Sequence, residues 1–461
     1  MNASDSQPDL PDQPDVQPVS QFSLLRRRRF WPLFLTQLGG AFNDNFYKSA
    51  LLMLFTYGGI ERWGLSIDVI NNVVAATLIV PFLVFAPLAG QYADKFEKSA
   101  FIRLIKIAEI GIMLLGALAL WLNSAALLLL VLFLTGTQSA CFSPLKYSIL
   151  PQHLERDELT GGNGLLHTGT SVAIFLGMIA GTLALSFSGG RWWVAAGALA
   201  IAWFGWRVSR LIPQAPSSDP ELALHGNPYR QTRRSLACAR ENTMVFWCII
   251  GSSWYWFLGS IYLTQLPNFT RSVLSGASAA VSLFLVLFLA GICVGALLCE
   301  RLSRQRVEPA LVPLGAILVT VFGVDLAFAG SAFASAHPAP GPDLYYSVVE
   351  LLQRPRWWRV ALDVALLGVA GGLYVVPLSA LIQSRSRAEH RAQVIGAGNV
   401  INALFMVAAS LVGLLVLGML GLSIPQLFLV VMALHLLISA LVFVRQPEFL
   451  QRFRQRFVSV R

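Results

Sequence analysis

The sequence predicts an all-α membrane protein of twelve transmembrane helices in two pseudo-symmetric six-helix bundles, with both termini cytoplasmic. Three observations predict it. Hydrophobic residues fill 56% of the 461 positions, charged residues only 13%, and mean hydropathy is +0.63, a balance that excludes an ordinary soluble enzyme. Apolar runs of about 20 residues recur along the chain, each long enough to cross about 30 Å of hydrocarbon at about 1.5 Å per residue. Basic residues cluster in the short connections between these runs. Unbroken stretches such as Ser124 to Leu134 are the opposite of the short alternating segments of a transmembrane barrel.

Taken in order, residues 1–29 form a cytoplasmic tail. Its first 20 residues set Pro8, Pro11, Pro14 and Pro18 among Asp5, Asp9, Asp12 and Asp15, a disordered composition without the apolar core of a signal peptide. Its end is the basic run Arg26 to Arg29. Twelve spans follow at about 30–58, 68–93, 101–122, 124–150, 163–188, 191–212, 244–268, 276–299, 309–331, 360–384, 395–420 and 425–445. They group into an N-terminal bundle (30–212), a linker (213–243), a C-terminal bundle (244–445) and a basic tail (446–461). With the N-terminus cytoplasmic, the opposite face holds only Arg62, Arg191, Arg271, Arg354, Arg356 and Arg359, and Lys48 and Lys106 lie within spans; the remaining 26 of 34 basic residues are cytoplasmic. The net charge of +10 therefore orients the chain in a bilayer and does not point to nucleic acid. Arg354-Pro355-Arg356-Trp357-Trp358-Arg359 reads as an interfacial anchor on the outer face.

The linker begins with Pro213, Pro216 and Pro220 and turns basic and amphipathic from Tyr229 to Arg240, which predicts a helix on the membrane surface. Internal repetition supports the same division. Pro144-Leu145-Lys146-Tyr147-Ser148-Ile149 answers Pro377-Leu378-Ser379-Ala380-Leu381-Ile382 at an offset of 233, and Gly162-Asn163-Gly164 answers Gly398-Asn399-Val400 at 236. Two parallel six-helix halves are the architecture of transporters of the major-facilitator type. The cysteines at 141, 238, 248, 293 and 299 form no Cys-x-x-Cys pair, so neither a disulfide nor a metal site is expected, and no cofactor is implied.

Several residues stand out against the apolar background. Asp44 lies in the first span, about 21 Å along the helix from Phe30, where a lone carboxylate must face a partner or water. With Asn43 and Asn45 beside it, it reads as a polar binding or gating site; the alternative is a structural ion pair with Lys48, four residues on. Lys146 and Tyr147 follow a helix-disturbing proline in span four, and Lys146 fits ligand contact or snorkelling equally. His167, Asn399 and Asn402 fall in spans five and eleven and are cavity candidates, with ordinary interhelical hydrogen bonding the alternative. Spans three, six, nine and twelve lie outside the cavity of a major-facilitator bundle, so Lys106 with Glu109, Asp325 and His435 read as structural. The run Trp254-Tyr255-Trp256-Phe257 covers all sides of span seven, so most of it should face lipid or pack, and one or two of its rings can line the cavity.

Gly90-Gln91-Tyr92-Ala93-Asp94-Lys95-Phe96-Glu97-Lys98 resembles the Gly-x-x-x-Asp-(Arg/Lys)-x-x-x-(Arg/Lys) loop of the major facilitator superfamily, with Lys98 one place early. Asp94 there can pair with basic groups or with the N-terminus of a helix in the other half, so Gly90, Asp94, Lys95 and Lys98 are assigned to gating. The second-half counterpart, Gly295 to Arg301, is degenerate.

Within that superfamily the chain resembles the bacterial lysophospholipid transporters, including forms fused to a 2-acylglycerophosphoethanolamine acyltransferase. The residues that carry the resemblance are 34–45, 90–95, 102–110, 143–151, 376–383 and 399–407. The resemblance implies movement of a lysophospholipid, chiefly lysophosphatidylethanolamine, to the inner leaflet of a bacterial inner membrane, where a separate cytoplasmic-side acyltransferase reacylates it; the alternatives are export of a siderophore or other soluble metabolite, and a membrane acyltransferase or non-transporting scaffold. It implies a monomer among membrane lipids, and Asp44 and Lys146 match positions that serve the head group. The arginine that stand-alone members place in span seven is missing, which leaves Lys48 as a substitute phosphate partner. No histidine is followed by four residues and an aspartate, so no acyltransferase activity is expected.

Overall fold

The computed structural model describes residues 20–57, 60, 63, 67–304, 306–337 and 344–458. The acidic, proline-rich stretch up to residue 19 lies outside them, as do Arg62 and Arg461. The N-terminal half contains α1 (Trp31–Tyr57), α2 (Ile67–Lys95), α3 (Lys98–Trp121), α4 (Ala125–His153), α5 (Leu159–Ala184) and α6 (Gly190–Ser209). The linker carries α7 (Pro228–Glu241). The C-terminal half contains α8 (Thr243–Ser272), α9 (Ser278–Ser303), α10 (Leu311–Ala336), α11 (Val348–Leu352), α12 (Pro355–Arg385), α13 (Arg391–Gly413) and α14 (Ile424–Arg445), with α15 (Glu448–Phe453) after it.

A backbone in hydrocarbon has no water to bond, so each crossing segment must satisfy its own N–H and C=O groups as a helix. Ten of these helices are long and apolar enough to cross a membrane. Among the remaining helices, α1 and α6 still run for 27 and 20 residues. The apolar character of α1 is diluted by Gln37, Asn43, Asp44, Asn45 and Lys48, and α6 carries Arg191 and Arg207 near its ends. All of these polar positions in α1 except Gln37 are the ones that stand out as a candidate site.

Helix pairing repeats between the halves. In the first, α1 packs on α5, α2 on α4 and α3 on α6; in the second, α8 packs on α13, α9 on α12 and α10 on α14. The halves meet where α2 packs on α13 and α5 on α9. On the outside, α3, α6, α10 and α14 present large apolar side chains such as Leu104, Leu114, Trp203, Ile317, Phe328, Leu437 and Val444, which is the lipid-facing role expected of them.

Three local readings change. Residues 21–26 of the N-terminal tail form a 3-10 helix that buries Gln21 and Leu24. The basic belt at 354–359 belongs to the start of α12, and only half of it can anchor, because Trp358 is exposed whereas Trp357 is buried. The linker helix α7 buries Gln231, Ser235 and Ala239 against the protein, and Gln231 Nε2 donates to Gln393 Oε1 at 3.0 Å, so one face of it covers the end of the bundle. The face that carries α7 is called the linker side below.

Candidate functional site

Asp44 lies midway along α1, opposite the middle of α4, whose Ser139 hydroxyl donates a hydrogen bond to Asp44 Oδ2. No ion pair joins Lys48 to Asp44 among the described residues, so the intrahelical pair is not formed. The buried ion pair of this half is Lys106 with Glu109, at 2.6 Å. Lys48 stands four residues along α1 from Asp44, about 6 Å nearer the far face, and Lys146 stands seven residues along α4 from Ser139, about 10 Å nearer the linker side. The carboxylate is therefore bracketed by two lysines along the membrane normal. All three side chains remain partly exposed, and the charge of Lys146 reaches Asp44, Lys106 and His167.

The flanking asparagines do not form a pocket with Asp44. Asn43 is fully buried and turned away, its Nδ2 donating to Glu109 Oε1 at 3.1 Å, and Asn45 donates to the Ala41 carbonyl of its own helix at 2.9 Å. A helix spaces consecutive residues about 100° apart, so Asn43, Asp44 and Asn45 cannot share one direction.

The candidates further toward the linker side lie at the seam between the halves. Tyr147 carries the Lys146 ammonium 5.0 Å from its ring centroid and lies 6.3 Å, centroid to centroid, from the His167 ring. His167 Nε2 is 3.4 Å from the Ser379 hydroxyl of α12, and Asn399 of α13 donates to Ser143 of α4 at 3.0 Å. Asn402 stays within the second half and accepts from Ser253 at 2.7 Å. Of the span-seven rings, Trp254 stacks on Phe257 and donates to His435 Nδ1 at 2.7 Å, away from the seam. Tyr255 packs toward α12, where a Cβ at Gly371 would come 3.2 Å from its ring. Asp325 pairs with Arg359 through both carboxylate oxygens.

Sequence reading did not single out one reciprocal side-chain contact across the seam. Asn163 and Gln383 exchange two amide hydrogen bonds, 2.9 and 2.8 Å, with both residues buried. The repeat motif contained Asn163, but nothing local to either residue marks the other as its partner. A further bridge runs from Thr168 Oγ1 to the Cys293 carbonyl at 3.4 Å.

The linker side is closed by a further layer. The Asp94 carboxylate, wholly buried at the end of α2, accepts the Ala392 and Gln393 N–H groups at the start of α13, each at 3.0 Å. Gly90 permits this approach, since a Cβ there would come 2.7 Å from the Ala392 carbonyl oxygen. The motif lysines turn to the linker: Lys95 donates to the Leu222 carbonyl at 2.8 Å, and Lys98 to Ser218 Oγ at 2.8 Å and the Pro216 carbonyl at 3.2 Å. On the other side of the seam, Gln21 donates its backbone N–H to Glu300 at 3.1 Å and its amide to the Leu297 carbonyl at 3.0 Å. These bridges between the halves lie between mid-membrane and the linker side, so the protein is held shut there.

The sequence profile of the Major Facilitator Superfamily matches residues 33–409. The chain is 28% identical over 376 residues to the lysophospholipid transporter LplT of Citrobacter koseri, covering 79% of this chain and 81% of that protein. It is 29% identical over 394 residues to the LplT of Klebsiella pneumoniae strain 342, covering 84% and 87%. Its fold is similar to the human organic anion transporter MFSD10 (TM-score 0.70, 17% identity, 91% of this chain and 99% of that one). It is also similar to the fucose transporter FucP in its outward conformation (0.65, 13%, 91% and 100%). At such identities these two likenesses speak for the fold alone.

Proposed function

Since the chain belongs to the Major Facilitator Superfamily and is a multi-pass membrane transporter, we propose that it carries lysophospholipids, chiefly lysophosphatidylethanolamine, from the outer to the inner leaflet of a bacterial inner membrane. The observation that carries the reading is one mid-membrane carboxylate, Asp44, bracketed along the membrane normal by Lys48 and Lys146. A zwitterionic head group brings a phosphate and an ammonium together, and an apolar span accepts such a ligand only where an anion and a cation wait for it. Asp44 takes the ammonium, and the phosphate passes from Lys48 on the far side to Lys146 on the linker side. The likeness to LplT proteins over about four-fifths of both chains supports the same substrate class.

Reading the linker side as cytoplasmic, this conformation is closed toward the cytoplasm. Transport then requires the seam to part: the Asn163–Gln383 contact, beyond Lys146 on the cytoplasmic path, and the His167–Ser379 contact, level with Lys146, break as the halves rock and the far ends close. The head group reaches Lys146, next to that seam, only after leaving Lys48. Reacylation of the delivered lipid falls to a separate cytoplasmic-side acyltransferase, and the monomer suffices for the transport step.

The test is uptake of labelled lysolipid into spheroplasts lacking their own transporter. Uptake should require a phosphate, tolerate various single acyl chains, and be poor for diacyl phosphatidylethanolamine, which doubles the apolar cross-section. Asp44→Ala should abolish it in a folded, membrane-inserted protein. Uptake near wild type in that variant, metabolite export without lysolipid uptake, or acyl transfer by the purified protein would each overturn the reading.

A further inference from the structure

Behind Asp44 lies a buried polar chain that the transport reading leaves unused. Lys106 and Glu109, on the outer helix α3, are 0% and 2% exposed. Lys106 Nζ donates to Glu109 Oε2 at 2.6 Å. Glu109 also accepts from Asn43 of α1 at 3.1 Å and from Gln138 of α4 at 2.9 Å. Gly40 makes room for the ammonium, since a Cβ there would stand 2.9 Å from Nζ. Taking two charges out of water costs several kcal/mol per ion, and apolar residues of similar volume often pack such a site as stably. Packing therefore does not account for the pair.

Its position accounts for it. Gln138 commits its NH2 group to Glu109, which fixes the amide so that Oε1 points to the neighbouring Ser139 hydroxyl at 3.3 Å. That hydroxyl has one proton and two acceptors, Gln138 Oε1 and Asp44 Oδ2, and here it donates to Asp44. The Gln138 amide has no freedom to flip while Glu109 holds it, because a flipped amide would set an oxygen against a carboxylate. Asn43 is clamped by the same Glu109, which ties down the turn of α1 that carries Asp44. The charges of Glu109 and Lys106 also both act on Asp44.

We propose that Lys106 and Glu109, acting through Gln138 and Ser139, are positioning residues for Asp44: they aim its carboxylate and thereby set the preference for a head group with an ammonium. When that ammonium takes Asp44, Ser139 can turn its proton to Gln138 without leaving either group unpaired. The pair is thus the rigid backing of a head-group reader, and the inference rests on Asp44 being that reader.

The test uses the full-length chain in proteoliposomes, with lysophosphatidylethanolamine and lysophosphatidylglycerol, which lacks the ammonium, compared side by side. Single substitution of Lys106 or Glu109 strands a buried charge, so the pair is replaced together as Lys106→Met with Glu109→Gln, and Ser139→Ala and Ser139→Thr are made separately. The double variant and Ser139→Ala should raise KM for the ethanolamine lipid about tenfold, leave that for the glycerol lipid within about twofold, and leave the maximal rate on both near wild type. Ser139→Thr, which keeps the hydroxyl, should restore the preference. Equal losses on both lipids, or no change with either variant, would overturn the inference. Asp44→Asn separates the two levels. If it removes the ethanolamine preference while the backing variants do not, the positioning role alone falls; if it leaves the preference intact, the head-group reading falls with it.

Discussion

Two corners close the linker side, and the repeat places a carboxylate at each, Asp94 at the end of α2 and Glu300 at the end of α9. Asp94 sets both oxygens on the first N–H groups of α13, where unsatisfied donors and the helix dipole favour an anion. Glu300 stands beside the start of α5, and a Cβ at Gly161 would come 3.0 Å from it, yet its hydrogen bond comes from Gln21. The second corner is thus closed with help from outside the repeat: Gln21 reaches α9, while Arg27 and Arg29 of the same segment bind Glu158, 2.5 and 2.6 Å away, just before α5. Duplicated helices fix where a latch can stand, and the local partner decides how much depends on a single side chain.

The first corner should therefore break with one substitution. Asp94→Ala removes two hydrogen bonds to a charged group, each about 1.5–3 kcal/mol, and leaves two helix-terminal N–H groups without acceptors. With a cysteine introduced at Ser379 in a background free of other cysteines, labelling from the linker side should accelerate about tenfold or more, since about 1.4 kcal/mol shifts a two-state equilibrium tenfold. Asp94→Asn, which keeps one acceptor, should fall between. An unchanged labelling rate in the alanine variant would show that the corner does not depend on Asp94.

Glu300→Ala should have the smaller effect, about two- to fivefold in the same assay, because the Gln21 amide and the paired arginines still hold their segment. The two sites share no partner, so the double variant should multiply the single effects. If Glu300→Ala matches Asp94→Ala, the corners are equivalent and the asymmetry is only geometric.

Much of this was legible in the chain. Hydropathy and basic-residue spacing located the helices because lipid forces any crossing segment into one form. The Gly90–Lys98 motif marked Asp94 because its spacing puts a carboxylate at a helix end, and helix N-termini were one of two partners it could take. Depth along α1 singled out Asp44. What stayed hidden depends on orientation or on distant partners. Asn43 turns away from Asp44 although it adjoins it, Lys48 leaves the carboxylate unpaired at helical spacing, and Asn163 finds Gln383 some 220 positions later. Lys106 and Glu109 read from sequence as a structural pair on an outer helix, and helix position alone does not reveal the amide and hydroxyl that run from them to Asp44.

The smallest effect concerns what steadies each corner from the loop beside it. Glu97, between α2 and α3, accepts from Ser99 and Ala100 and from Ala215 of the linker, at 2.8, 2.6 and 2.9 Å. Glu308, between α9 and α10, accepts from Ala310 at 3.2 Å and binds Arg456 at 2.9 Å. Burial alone would raise the Glu97 carboxyl, but the Ser99 side chain and the N–H groups of Ala215, Ser99 and Ala100 outweigh it and hold the group below the ordinary 4.5. A carboxyl lowered by folding stabilises the fold fully above its unfolded value, and that contribution drains away as pH falls from there through the folded value. Amide exchange at Ser99, Ala100 and Ala215, compared with Glu97→Gln at each pH to cancel the intrinsic rate, should show a several-fold greater protection in the wild type at pH 7, in line with a cap of about 1 kcal/mol. The difference should shrink once pH drops below 4.5 and vanish when Glu97 is protonated. A difference that persists unchanged into acid would mean that the linker is held at this corner by shape alone, and that the charge on Glu97 contributes nothing the second corner lacks.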